Sequence, residues 1–114
     1  MRTDRLFLKD ILCCCDEALA FVSGSTKSEF KSNDLLCSAV QFKLLVIGEA
    51  AARISKPFRL KHPEVAWDKI AAYRNFNIHG YFNVDWNRVW DTAEIHVPAL
   101  RAAVDKILKE EFPD

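Results

Sequence analysis

The stretch 33–54, NDLLCSAVQFKLLVIGEAAARI, decides the fold. Leu36, Val40, Lys43, Leu44, Ile47, Ala50, Ala51 and Ile54 recur at three- and four-residue steps. That is the period of a helix burying one face. Asn33 is placed to cap its start, and Pro57 lies beyond its end. Gly48 sits in the middle, where glycine costs about 1 kcal/mol against alanine, so its presence points to close backbone packing there.

The same period extends outward in both directions. Thr3 or Asp4 can cap a first helix running to Val22, with Leu8, Ile11, Leu12, Cys15, Leu19 and Val22 as its stripe and Gly24 as its stop. Residues 25–32 read as a connection with a short turn capped by Thr26 and Glu29. Beyond the central helix, 56–66 contains Pro57 and Pro63 and reads as a loop or a broken helical turn. Trp67 to His79 is expected as a third helix ending at Gly80, with Trp67, Ile70, Ala71, Phe76 and Ile78 facing inward. Asp85 caps a fourth helix through Trp86, Val89, Trp90 and Ala93, and Pro98 gives a fresh start or a kink before Leu100, Val104, Ile107 and Leu108. The three tryptophans read as core anchors. No strand, repeat or low-complexity tract intervenes, so residues 1–114 are expected to form one all-α domain, an antiparallel bundle of four to five helices.

Lysine plus arginine and aspartate plus glutamate both total 16, so the net charge is zero. A dedicated duplex binder carries a basic excess, so any nucleic-acid contact must be local. The best local patch is Arg53, Lys56, Arg59, Lys61 and His62, leading towards Arg74, and it reads either as an RNA-contacting surface or as a solvated charged linker. No apolar run approaches 18 residues, and charges interrupt any signal-like core near the N-terminus, so no membrane span and a cytoplasmic location are expected. Cys13, Cys14, Cys15 and Cys37 fit no metal or redox pattern, since adjacent helical residues point about 100° apart. They read as small fillers.

Chemistry concentrates in Arg74-Asn75-Phe76-Asn77-Ile78-His79-Gly80-Tyr81. Arginine neutralises phosphate charge, and histidine moves a proton near neutral pH. On a continuous helix Asn75 and His79 share a face, and His79 in the last turn would have its imidazolium favoured by the helix dipole. RNA cleavage needs a base for the 2′-hydroxyl, an acid for the 5′-oxygen and charge stabilisation at phosphorus. One copy offers one such proton carrier; a two-fold dimer would offer two. A bare Arg-x4-His is weak by itself, because seven arginines and three histidines produce one by chance in about 0.2 of such chains.

The longer string resembles the HEPN superfamily, and within it the HepT-like toxins, whose motif is Arg-x4-His-x-Tyr. The resemblance extends to Ile47-Gly48-Glu49-Ala50-Ala51, to His62-Pro63-Glu64-Val65-Ala66-Trp67, and to Tyr81-Phe82-Asn83-Val84-Asp85 with Val89-Trp90-Asp91-Thr92. It implies a dimerising all-α bundle and a ribonuclease that uses neither metal nor cofactor, with Arg74, Asn75 and His79 as catalytic residues. It also implies a nucleotidyltransferase antitoxin as partner, silencing the toxin by AMP transfer to Tyr81. Tyr81 otherwise reads as an aromatic covering the core beyond a helix end, and Glu49 reads either as a group near the cleft or, slightly favoured, as an ordinary surface carboxylate. Two other functions compete: a non-catalytic RNA- or nucleotide-binding module that accepts AMP at Tyr81, and a helical dimer acting only as a scaffold.

Overall fold

The computed structural model describes residues 3–77 and 84–113, and every regular element among them is helical. Helix α1 spans Asp4–Val22 and is capped by Thr3, whose hydroxyl accepts the Leu6 N–H at 3.4 Å. Asp4 has a different task. Its carboxylate accepts the Ser55 N–H at 2.8 Å and the Ser55 hydroxyl at 2.6 Å, tying the start of α1 to the turn after the central helix. Gly24 adopts φ +79 just beyond α1, the left-handed conformation for which glycine is suited.

The short turn expected near Thr26 is helix α2, Lys27–Lys31, with a reciprocal capping box. Thr26 Oγ1 accepts the Glu29 N–H at 3.1 Å, and Glu29 accepts the Thr26 N–H at 3.0 Å. It delivers Phe30 into full burial, 5.3 Å from the Trp90 ring and 6.4 Å from Trp86.

Helix α3, Asp34–Arg53, begins at Asn33, whose side chain accepts the Leu36 N–H at 3.0 Å. Val40, Leu44, Ile47 and Ala51 are fully buried, and the helix packs along α1. By length and composition it could cross a membrane, with a mean hydropathy of 1.6, which corrects the expectation that no stretch qualifies: Lys43 and Glu49 are too few to lower the average. Only 39% of that window is buried, so α3 carries more apolar surface than this fold covers.

Residues 56–66 are more ordered than the prolines suggested. Lys56–Lys61 form helix α4, capped by Ser55 and holding Pro57 in its first turn, where the missing N–H is harmless. Phe58 anchors it among Trp67, Phe112 and His62. The third helix is shorter than expected: α5 covers only Trp67–Ala71, and the chain tightens to a 3-10 turn over Ala72–Asn77 where it meets α3.

Helix α6, Trp86–Asp91, is capped by Asp85, which accepts the Arg88 N–H at 3.2 Å. Pro98 lies in the first turn of α7, at the fresh start the sequence allowed. A π-helical turn, Thr92–His96, widens the ladder so that Val97 N–H reaches Thr92 O, and α7 continues over Val97–Glu111. Leu100, Val104 and Ile107 close the core, with α7 lying along α1.

Candidate active site at the Gly48–Arg74 contact

Gly48 lets the 3-10 turn lie directly on α3. A Cβ there would stand 2.9 Å from Arg74 N, 3.1 Å from Ala71 O and 3.1 Å from Arg74 Cγ. Two of those atoms are backbone, so the close packing anticipated at Gly48 fixes where Arg74 leaves the chain. Arg74 Nε donates to Ala71 O at 3.2 Å, and Nη1 pairs with Glu49 Oε1 at 3.5 Å. Glu49 Oε2 also faces Arg53 Nε at 3.9 Å. One carboxylate between two guanidinium groups leaves a local excess of positive charge. These pairs are half-exposed and add little stability; their effect is to orient a planar, five-donor cation at the surface, as phosphate recognition requires. Glu49 is therefore more than an ordinary surface carboxylate, in keeping with the other reading that set it near the cleft. Its position one residue after Gly48 was the available signal.

Asn75 is exposed on the same turn. Residues in a 3-10 turn repeat every three positions, so the helical-wheel argument placing Asn75 beside His79 does not apply to this segment. His79, Gly80 and Tyr81 lie outside the described residues.

The basic patch divides. Arg53 joins the Glu49–Arg74 group. Lys56 and Arg59 line a cleft of about 710 Å³ between α4 and α5, together with Lys69, which no sequence pattern had singled out. Lys61 turns elsewhere, pairing with Glu111 at 2.9 Å. His62 is not part of a surface patch: it is 6% exposed, with Nδ1 at 3.2 Å from Glu64 and its ring 4.7 Å from Phe58.

On the other flank of the 3-10 turn, a groove of about 500 Å³ is lined by Lys69, Tyr73, Phe76, Arg88 and His96 among others. Arg88 lies over the Phe76 ring at 5.5 Å, and Tyr73 abuts it at 5.8 Å. Burial pushes the Tyr73 phenol up to about 12, so it stays a neutral donor. His96 stands exposed on the π-helical turn, where Pro98 was the only sequence sign of anything unusual.

The cysteines take no part. Burial drives the Cys15 thiol up to about 12 and raises Cys14 and Cys37. Cys13 differs from the filler reading in being exposed, and its thiol is raised by a hydrogen bond to Glu17. Trp67 and Trp90 are buried anchors as expected, while Trp86 is half-buried.

The family model described as Ribonuclease HepT-like matches residues 11–107. A protein of Methanocaldococcus jannaschii named provisionally as an RNase is 37% identical over 109 residues, 96% of this chain and 94% of its own. Another so named, from Caldanaerobacter subterraneus, is 36% identical over 97% of this chain and 99% of its own. A Thermococcus cleftensis protein named probable ribonuclease HepT is 34% identical over 95% of this chain and 98% of its own. No solved structure matches.

Proposed function

From a chain that belongs to the HepT-like ribonuclease family, we propose a metal-independent endoribonuclease toxin whose active site is shared by two copies. The observation that carries this reading is Arg74, held on α3 by Gly48 and Glu49 and lying five residues before His79. Arg74 binds the scissile phosphate and stabilises the charge that gathers on its oxygens. His79 of one copy removes the 2′-hydroxyl proton. The 2′-oxygen attacks phosphorus, the P–O5′ bond breaks, and His79 of the second copy protonates the departing 5′-oxygen. The products are a 2′,3′-cyclic phosphate and a 5′-hydroxyl. Asn75 steadies the strand by hydrogen bonding.

The apolar surplus of α3 supports the dimer. Leu35 is 82% exposed and Phe42 57% exposed, and Leu35, Phe42 and Glu49 are spaced by seven residues, on one face of the helix. A second copy seated on Leu35 and Phe42 buries that surface and brings its own Arg74 towards the first. The toxin's partner is a nucleotidyltransferase antitoxin acting in the same cytoplasm. AMP transfer to Tyr81, two residues from His79, places bulk and negative charge in the RNA path.

The test is RNA cleavage in EDTA with end-group analysis. His79→Ala and Arg74→Ala should each lose at least about 100-fold in rate, and Phe42→Glu should give an inactive monomer. Equal cleavage by wild type and His79→Ala removes the reading. Intact mass after incubation with the partner and ATP tests the Tyr81 step separately. The alternative, a non-catalytic acceptor of AMP, predicts that mass increase without any cleavage.

A further inference from the structure

The ribonuclease reading leaves open how a chain of zero net charge holds a polyanion, and the cations not engaged elsewhere answer it. Resting on that reading, we propose that a single RNA strand crosses the outer face of α5, held at the α4–α5 cleft by Lys56 and Arg59, at the midpoint by Lys69, and beyond it by Arg88 beside Phe76. Lys69 lines both the 710 Å³ cleft and the 500 Å³ groove, so the two depressions meet at its side chain. The groove reaches Phe76, so the track ends on the 3-10 turn, on the flank opposite the Arg74–Glu49 pair. Each depression falls within the roughly 300–1,000 Å³ typical of ligand sites.

Three observations point to a phosphate-bearing ligand. Among the described residues, neither Lys56 nor Lys69 has a carboxylate within ion-pair reach. Arg59 lines the cleft partly exposed, and among the described residues its guanidinium approaches a carboxylate only at 3.9 Å, that of the fully exposed Asp68. The walls also supply apolar surface for bases, with Leu60 71% exposed at the cleft and Phe76 in the groove. Cations along a groove with apolar and aromatic surface between them suit an unpaired strand, whose bases are free to turn inwards.

The experiment measures binding of a fluorescent 2′-O-methyl oligoribonucleotide, which lacks the attacking hydroxyl, alongside cleavage of unmodified RNA. Lys56→Gln/Lys69→Gln should weaken binding by about tenfold near 0.1 M salt. It should also flatten the log–log salt slope by about 1.4, two contacts at about 0.7 each for single strands. KM should rise while kcat stays within about twofold. Lys106→Gln/Lys109→Gln, on the far part of α7, should leave affinity and slope unchanged. If wild type binds and cleaves RNA but the Lys56/Lys69 variant keeps its affinity and slope, the track is overturned and the ribonuclease reading stands. If wild type neither binds nor cleaves RNA, that reading falls and the track falls with it.

Discussion

Gly48→Ala is the sharpest test of the site's construction, because two effects of similar size oppose each other. On helix propensity alone the substitution should stabilise α3 by about 1 kcal/mol. The new methyl, however, would stand 2.9 Å from Arg74 N and 3.1 Å from Ala71 O, and the first of these is closer than real Cβ atoms come. Neither backbone atom can rotate away, so the 3-10 turn must move off α3 by several tenths of an ångström. Overpacking of this kind costs about 1–3 kcal/mol. The balance is a net loss of about 1 kcal/mol, or a Tm lower by about 4 °C at fixed protein concentration. Activity should suffer more than stability, since displacing a charge-stabilising group by up to an ångström costs on the order of tenfold to a hundredfold in rate. Removing Arg74 as well relieves only the 3.1 Å contact with Cγ, so Gly48→Ala/Arg74→Ala should not regain the lost stability. Thermal unfolding followed by circular dichroism, with RNA cleavage on the same samples, decides it. A Gly48→Ala protein that melts higher and cleaves at the wild-type rate refutes the close approach.

Glu49→Gln should lower kcat by roughly fivefold to tenfold, because the guanidinium loses a charged partner, and should lower KM, because a carboxylate no longer repels RNA; steady-state cleavage separates the two parameters. Acid should destabilise the fold: the Glu111 carboxyl is held below its ordinary 4.5 by Lys61, so the unfolded chain takes up that proton first, and stability falls as pH drops below 4.5 through the folded value. Glu111→Gln should flatten that part of a Tm-against-pH curve. Thiol titration of the folded protein should find only Cys13 reactive, and slowly, with all four cysteines reacting after denaturation.

Long-period features were legible in the sequence, and short-range compromises were not. The stripes of α1 and α3, the Thr26–Glu29 box, the Asn33 and Asp85 caps and the role of Gly48 all follow from local rules and are found in the structure, with Leu12 and Leu19 of the α1 stripe only partly buried. The α4 helix was legible only as a loop or broken helical turn, because Pro57 reads as a breaker unless Ser55 is seen capping the helix by accepting the Phe58 N–H. The 3-10 turn at 72–77 was hidden because its apolar pattern is also helical, and what tightens it is contact with a glycine 26 residues earlier in the chain. Likewise Pro98 announced an irregularity without saying that a π-helical turn would absorb it. At the candidate site, Arg74 and Asn75 were singled out by the family-like string, the spacing alone being weak, whereas the pairing of Glu49 and the place of Lys69 depend on neighbours that the fold supplies.

The zero net charge, taken from composition as an argument against nucleic acid, loses that force once the charges are placed. On α7 and the faces beside it, opposite charges meet: Lys109 with Asp105, Lys106 with Glu110, Arg101 with Asp16, and Lys61 with Glu111. Each such pair contributes little stability, but each cancels its own field at a distance. Around α5 the cancellation fails, because among the described residues Lys56 and Lys69 pair with no carboxylate and Asp68 answers Arg59 only at 3.9 Å. A strand approaching the molecule therefore meets a surface that is neutral over α7 and cationic around α5. Charge distribution, rather than charge total, governs where a polyanion settles.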